Sequence, residues 1–487
     1  MSSQMHKKRR NRARIISEYP DINDAFLSPK IKGFFDVTLS EAIVLGLVRQ
    51  QVRIFIGIFG HGSTDLAEVL RVYEEEGVVK MYAVRHETEA VHAATALRWV
   101  TGEKSAVVTS IGPGALHALA GSLAPLSNGL GIWLLLGDET THDEGPNMQQ
   151  IPGHEQNRFH RLFSAMGNTY TLHTPEAIGS AMRKGLVTTE HPFRQQPFFL
   201  LMPMNTQPQV IKRFNPDELP NNTSIRVGAA DVLEDYQKAV DAIRQSKKMV
   251  VKVGGGARHI QSGLLEFLDL SDGVAVNSPL VPGVVPFSHE RNMTVGGSKG
   301  SISGNYAMEE ADMLVAIGTR FVCQSDCSRT GYPKVKKVLN INSDINSAFH
   351  YSKTIALLGD IETTLLRLNE ELKKKGVKPG RRPSAWLKAC MEKRREWDTF
   401  RNERYRAKTL FDGRWKRKVL TQPVVIKTAS DWAIKNKIIS FFDAGDVQAN
   451  GFQIVEPEKY GSVYNETGAS YMGFAVSALL ATAMSDT

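Results

Sequence analysis

Val84-Arg85-His86-Glu87-Thr88-Glu89-Ala90-Val91-His92-Ala93-Ala94 and, further on, Thr109-Ser110-Ile111-Gly112-Pro113-Gly114-Ala115 decide how this chain folds. In the first stretch a strand-like run over 79–84 becomes an alanine-rich helix. Glu87 falls in its first turn, facing the positive end of the backbone dipole. A lone Glu there reads equally well as a surface residue answering that dipole. The second stretch adds a strand of buried type over 105–110, whose Gly-Pro-Gly turn opens another helix over 114–127. Consecutive strand–turn–helix units set their turns side by side at one edge of a parallel sheet, where small-molecule sites form.

The same rhythm extends outward. Thr38-Leu39-Ser40-Glu41 has the form of a capping box before an apolar-faced helix over 38–48. A strand over 53–59 breaks at Gly60-His61-Gly62-Ser63, a helix resumes near Thr64, and further strands are expected over 131–137 and, last in the sheet, 197–202. Near-continuous apolar strands alternating with helices argue a parallel sheet covered on both faces. This first domain spans 35–205, after a basic flexible arm (1–34). A linker (206–225) with several Pro, Asn and Asp follows. A second α/β unit over 226–372 has strands at 248–253, 311–318 and 338–342. Its Gly254-Gly255-Gly256 cluster lacks the Gly-x-Gly-x-x-Gly spacing of a dinucleotide turn. A basic connector (373–420) carries Trp386, Trp397 and Trp415. The remaining residues, 421–487, suggest a helix over 423–433, a strand over 437–445, a loop over 446–450, a strand over 462–465 and a helix over 472–484.

The 487 residues are 42% hydrophobic and 23% charged, values of a globular protein. No apolar run reaches the ~18–20 residues of a membrane span. Three cysteines (Cys323, Cys327, Cys390) cannot form a disulfide framework, which points to a reducing, cytoplasmic setting. The formal charge of +9 is concentrated between Lys373 and Lys418, where 18 Lys/Arg face five acids. No reader motif accompanies them, so nucleic acid is not expected as a partner, nor is a membrane. Tryptophans that pack on neighbouring domains account for this stretch without stacking on bases.

Arg85-His86-Glu87 before an alanine-rich helix, followed by Thr109-Ser110-Ile111-Gly112-Pro113-Gly114-Ala115, resembles the pyrimidine domain of thiamine-diphosphate enzymes. The resemblance is to the acetohydroxyacid synthase group and the trihydroxycyclohexanedione hydrolases of inositol breakdown. Gly297-Ser298-Lys299-Gly300 through Asn305, Ala311 through Phe321, and Ile341-Asn342-Ser343-Asp344 resemble their central domain. Glu466 through Phe474 resembles the turn of their diphosphate domain that cradles the aminopyrimidine. The resemblance implies an α/β protein of three doubly wound parallel-sheet domains: pyrimidine, central, and an incomplete diphosphate domain. By that comparison the chain stops before the Gly-Asp-Gly motif that carries the metal ligands. It would then cover the first three quarters of such an enzyme, leaving its own activity open.

The family pattern assigns Glu87 to N1′ of the aminopyrimidine, where a carboxylate stabilises the imino tautomer that takes the C2 proton. The Gly112-Pro113-Gly114 turn would let the backbone approach the ring. The same pattern gives cofactor contacts to Gln448, Ser470 and Met472. His61, in a Phe59-Gly60-His61-Gly62 loop similar to that of the hydrolases, is a candidate acid or base on substrate. Gln149, Gln150 and Gln156 lie where the synthases carry a substrate-side Gln. His117 stands where relatives usually have Asn. The cofactors implied are thiamine diphosphate and Mg²⁺. The synthases also hold an FAD in the central domain and the hydrolases need none, so FAD is not counted as required. The reading is a carbon–carbon lyase or carboligase like acetolactate synthase, acting on a 2-oxo acid or diketone as a homodimer or homotetramer. The alternatives are a dione-type C–C hydrolase, or a non-catalytic truncated homologue with a scaffold role.

Overall fold

The computed structural model describes residues 3–31, 33–142, 149–150, 153, 155–222, 224–380 and 383–485. The chain divides into two compact units, residues 1–225 with 473–487, and residues 226–472.

The first unit is built on a six-stranded sheet in which every pairing is parallel. Its order is Lys80–Ala83, Ile54–Ile58, Ser105–Thr109, Trp133–Asp138, Phe198–Pro203, Asn168–Thr171. The four interior strands are apolar almost throughout because both faces are covered by helices. Phe198–Pro203 is, as expected, the last strand of the sheet in chain order, and it lies inside the sheet. The edge belongs to Asn168-Thr169-Tyr170-Thr171, whose polar sequence gave no strand signal. The residues read as a linker contribute a strand as well: Val210–Phe214 pairs antiparallel with Phe35–Thr38.

The arm, expected to be mobile, is instead a helix over Ser3–Ser17 and a short one over Ile22–Leu27. Arg9, Arg12, Ala13 and Ile16 fall at helical spacing on one buried face. The two arginines close on the buried Glu41: Arg9 Nε donates to Oε2 at 3.4 Å and Arg12 Nη2 to Oε1 at 2.6 Å. Tyr73 donates its hydroxyl to the same carboxylate at 3.2 Å, and burial pushes that phenol well above its ordinary pKa. The capping box is therefore half formed. Thr38 Oγ1 accepts from the Glu41 N–H at the start of helix Leu39–Arg49, while the Glu41 side chain turns to the arginines.

The second unit carries another six-stranded parallel sheet, ordered Asn292–Val295, Val274–Asn277, Met249–Val253, Met313–Ile317, Lys337–Asn342, Thr354–Leu358. The described residues of the connector belong to this unit. Trp386 and Trp397 are buried on the long helix Ala385–Arg406, and Trp386 Nε1 donates to the Met249 carbonyl at 3.0 Å. Trp415 is exposed on a hairpin, Thr409–Asp412 with Arg417–Leu420. Residues 421–472 do not separate as a third body. Their parallel sheet has two strands, Ser440–Phe442 and Val463–Asn465, over a small core of Ile426, Phe442, Ile454, Val455 and Val463. Two strands bury too little to stand alone.

Candidate active site

Helix Glu87–Val100 starts where the sequence places it. His86 is its N-cap, with Nδ1 accepting from the Thr88 N–H at 3.3 Å, and Glu87 and Glu89 occupy the first turn. Alanines at 90, 93, 94 and 96 let the helix lie close on the sheet. Glu87 is only 8% exposed, at the carboxyl end of strand Lys80–Ala83. The next two strands of the sheet, Ile54–Ile58 and then Ser105–Thr109, end at the same edge, where the His61 and Gly112 turns follow them.

The glycines decide how closely these turns meet. Gly112 has φ +71°, a left-handed conformation in which a Cβ would also meet the Gln150 carbonyl oxygen at 2.4 Å. Gly114 lies against the acid itself, so that a Cβ there would come within 2.7 Å of Glu87 Oε1. Pro113 takes the first position of helix Pro113–Gly121, where its missing N–H costs nothing. That helix stops at Ser122 and a second, Leu123–Asn128, replaces the single helix expected over 114–127.

Sequence reasoning left His117 undefined. Its Nδ1 lies 2.9 Å from Glu87 Oε2, its backbone carbonyl accepts the Thr88 hydroxyl at 3.0 Å, and its ring stacks on His86 with centroids 4.2 Å apart. The partners are 30 residues apart, so only the fold reveals the pair. A second unforeseen group is Asp138, at the carboxyl end of the fourth strand. It is buried, its Oδ1 has no hydrogen-bond partner among the described residues, and burial pushes its pKa up to about 7.

His61 is exposed on the short 3-10 turn His61–Ser63 and is hydrogen-bonded to neither Glu87 nor His117 among the described residues. Gln150 abuts Gly112, whereas Gln156 donates instead to the Thr140 and His142 carbonyls. Gln149 is exposed, with no role visible.

Gln448, Ser470 and Met472 belong to the second unit. Gln448 sits on a helix, Asp446–Ile454, not the expected loop: Gly445, at φ +74°, turns the chain and Asp446 answers the dipole of the first turn. Its Nε2 donates to the Glu466 carbonyl at 2.6 Å, and Ser470 Oγ donates to its Oε1 at 3.5 Å. The turn itself is organised by the buried Glu466 carboxylate, which accepts the Ala469 and Tyr471 N–H groups at 2.8 Å each. Ser470 is left-handed at φ +52°, and Met472 is 83% exposed, a large apolar side chain facing solvent within its own unit. The helix expected over 472–484 is two short ones, Phe474–Ala478 and Ala481–Met484, packed on helix Glu87–Val100 in the first unit.

A buried carboxylate beside a glycine with no room for a methyl group fits a flat heterocycle that needs one acidic partner and close backbone approach. The described residues include no helix long and apolar enough to cross a membrane.

Residues 37–160 match the family model described as the N-terminal TPP binding domain of thiamine pyrophosphate enzymes, and residues 236–368 match the central domain of the same enzymes. Together the two matches take in a little over half of the chain. Similar proteins include the 3D-(3,5/4)-trihydroxycyclohexane-1,2-dione hydrolase of Listeria innocua, 22% identical over 92% of this chain and 74% of its own length. The enzymes of that name from Clostridium perfringens and Bacillus thuringiensis are 24% and 25% identical, each over 87% of this chain and 69% and 68% of their own lengths.

Proposed function

Because this chain belongs to the thiamine pyrophosphate enzyme family, we propose that it uses thiamine diphosphate to cleave a carbon–carbon bond next to a carbonyl by hydrolysis, in a cyclic diketone. The observation that carries the cofactor half is the buried Glu87 carboxylate against Gly114. The substrate half is supported by the names of the relatives and by the Gly60-His61-Gly62 loop. A carboligase acting on a 2-oxo acid, like acetolactate synthase, is the second reading, favoured by the Thr109 to Ala115 motif that the synthases share.

When bound, the cofactor supplies a carbon nucleophile that stores the electron pair of the broken bond. The chain's own residues prepare that chemistry. Glu87 would present its buried carboxylate to N1′ of the aminopyrimidine from the first turn of its helix. Gly112 and Gly114 keep side chains out of the ring's plane. In an assembled dimer, Ser470 and Met472 of one subunit would face the ring held by Glu87 of another, and Gln448 would brace their turn. His61, exposed on the adjacent turn, is the residue we assign to proton transfer with substrate. Mg²⁺ would be needed to hold the diphosphate, and assembly into at least a dimer would complete the cofactor site.

Product analysis tests the substrate. The protein is incubated with thiamine diphosphate and Mg²⁺ and offered pyruvate or a cyclic 1,2-diketone. Ring opening of the diketone is expected. Acetolactate from pyruvate, with the diketone untouched, would give the assignment to the carboligase reading. Glu87→Gln should abolish either reaction, and undiminished turnover would show that another carboxylate serves the cofactor.

A further inference from the structure

His117 meets Glu87 across the sheet edge, and its surroundings define what that contact can do. The imidazole is held from two sides, at Nδ1 by Glu87 Oε2 at 2.9 Å and on its face by the His86 ring at 4.2 Å, while the residue's backbone carbonyl accepts from Thr88 Oγ1 at 3.0 Å. His86 is fixed in turn by the Thr88 N–H. Every one of these contacts comes from the turn that carries Glu87. The second carboxylate oxygen, Oε1, faces Gly114, where only backbone stands in front of it.

A divalent cation is the first ligand to consider, since the ligand atoms of His86, Glu87 and His117 lie within 4.8 Å of one another. The ring geometry speaks against it. Two imidazoles share an ion when their in-plane lone pairs converge, but rings inclined by only 26° in a stack aim theirs side by side. Both Nδ1 atoms are also already engaged.

We propose that His117 is a positioning residue for Glu87, tying down one carboxylate oxygen so that the other is presented to the cofactor's pyrimidine in a fixed direction. This rests on the reading of Glu87 given above. The terminal torsion of a glutamate is broad, and a site tuned to one nitrogen needs it narrowed. The chemistry asks only for an N–H donor at this spot. The side-chain amide nitrogen of Asn branches from the same carbon position as Nδ1 of His, so Asn at 117 meets the requirement.

The test uses the full chain with thiamine diphosphate and Mg²⁺ and needs no substrate. Near-ultraviolet circular dichroism reports the bound cofactor, and exchange of its C2 proton for deuterium, read by NMR after acid quench, reports the work of the carboxylate. His117→Leu should slow exchange by about tenfold at saturating cofactor, the scale of one charge-assisted hydrogen bond. His117→Asn should restore both the exchange rate and the dichroism. The His117 side chain is 48% exposed, so both variants should melt like the wild type. Wild-type exchange in His117→Leu alongside loss of exchange in Glu87→Gln would overturn the role of His117 and leave that of Glu87 standing. Equal impairment of the Asn and Leu variants would overturn the hydrogen-bond account. Undiminished exchange in Glu87→Gln would remove the reading beneath it.

Discussion

Lys252 lies in the middle of strand Met249–Val253, between Val276 and Ala316 on the flanking strands. It is fully buried, its Nζ has no hydrogen-bond partner among the described residues, and burial pushes its pKa from 10.5 down to about 8, with Asp326 and Cys327 nearby opposing the fall. In the unfolded chain the ammonium is hydrated and keeps its ordinary pKa. The folded state therefore holds this proton less tightly, and stability rises with pH wherever the unfolded chain alone is protonated. That window runs from about 8 to about 10.5. Below it the cost is present in full, and at about 1.4 kcal/mol per pH unit it amounts to roughly 3 kcal/mol. Lys252→Met keeps the length of the side chain and removes the charge. Asp326 remains satisfied by the Arg329 N–H, His350 Nε2 and the Tyr351 hydroxyl. The variant should be more stable than the wild type by about 3 kcal/mol at pH 7, with the gap closing towards pH 10.5. Urea-dependent hydrogen exchange of peptides from strands Met249–Val253 and Met313–Ile317 measures the second unit by itself. A gap that does not change between pH 7 and pH 10, or a less stable variant at pH 7, would refute the reasoning.

Asp138 runs the opposite way. Its folded pKa of about 7 lies above the ordinary 3.8, so its contribution is intact below about pH 4 and is lost as pH rises through 7. Asp138→Asn should stabilise the first unit by up to about 4 kcal/mol at pH 8 and hardly at all at pH 4, measured by urea unfolding. Gly114→Ala should leave the fold intact, because the clashing atom is the end of the Glu87 side chain rather than backbone, but it should push that carboxylate aside and weaken thiamine diphosphate binding in a fluorescence titration. Glu41→Gln should cost about 3–5 kcal/mol, since Arg9 and Arg12 would be left as buried, uncompensated cations; thermal melting checks it, and an unchanged midpoint would show the cluster to be dispensable.

What could be read in advance follows from how local each signal is. Helix Glu87–Val100 was legible to the residue because a polar cap, an acidic first turn and an alanine run all agree. The interior strands of the first sheet, and Met249–Val253, Met313–Ile317 and Lys337–Asn342 in the second, announce themselves by apolar sequence, whereas the four-residue interior strand Val274–Asn277 did not. Asn168–Thr171 did not, because an edge strand covered on fewer sides needs no such run. The helix over Ser3–Ser17 was hidden by arginines standing on its buried face, where the pattern requires apolar residues unless a distant carboxylate neutralises them. Asp446–Ile454 reads as a loop because Gly, Asp and Asn crowd its sequence. At the site, the place of Glu87 in a first helical turn and of Gly112–Gly114 between a strand and a helix was legible from local sequence, whereas the His117 contact depends on two turns meeting across the sheet edge.

Residues 473–485 close over helix Glu87–Val100: Phe474 is buried with its ring 5.2 Å from that of His92, and Ser485 Oγ donates to Glu103 Oε1 across 382 positions of sequence. The wall that supports the key acid is thus synthesised long after the acid itself. On the ribosome the opening unit must wait, one flank bare, until the entire intervening body has emerged. A chain released early would display an unclad alanine-rich surface, a natural handle for chaperones and proteases that sort finished molecules from interrupted ones.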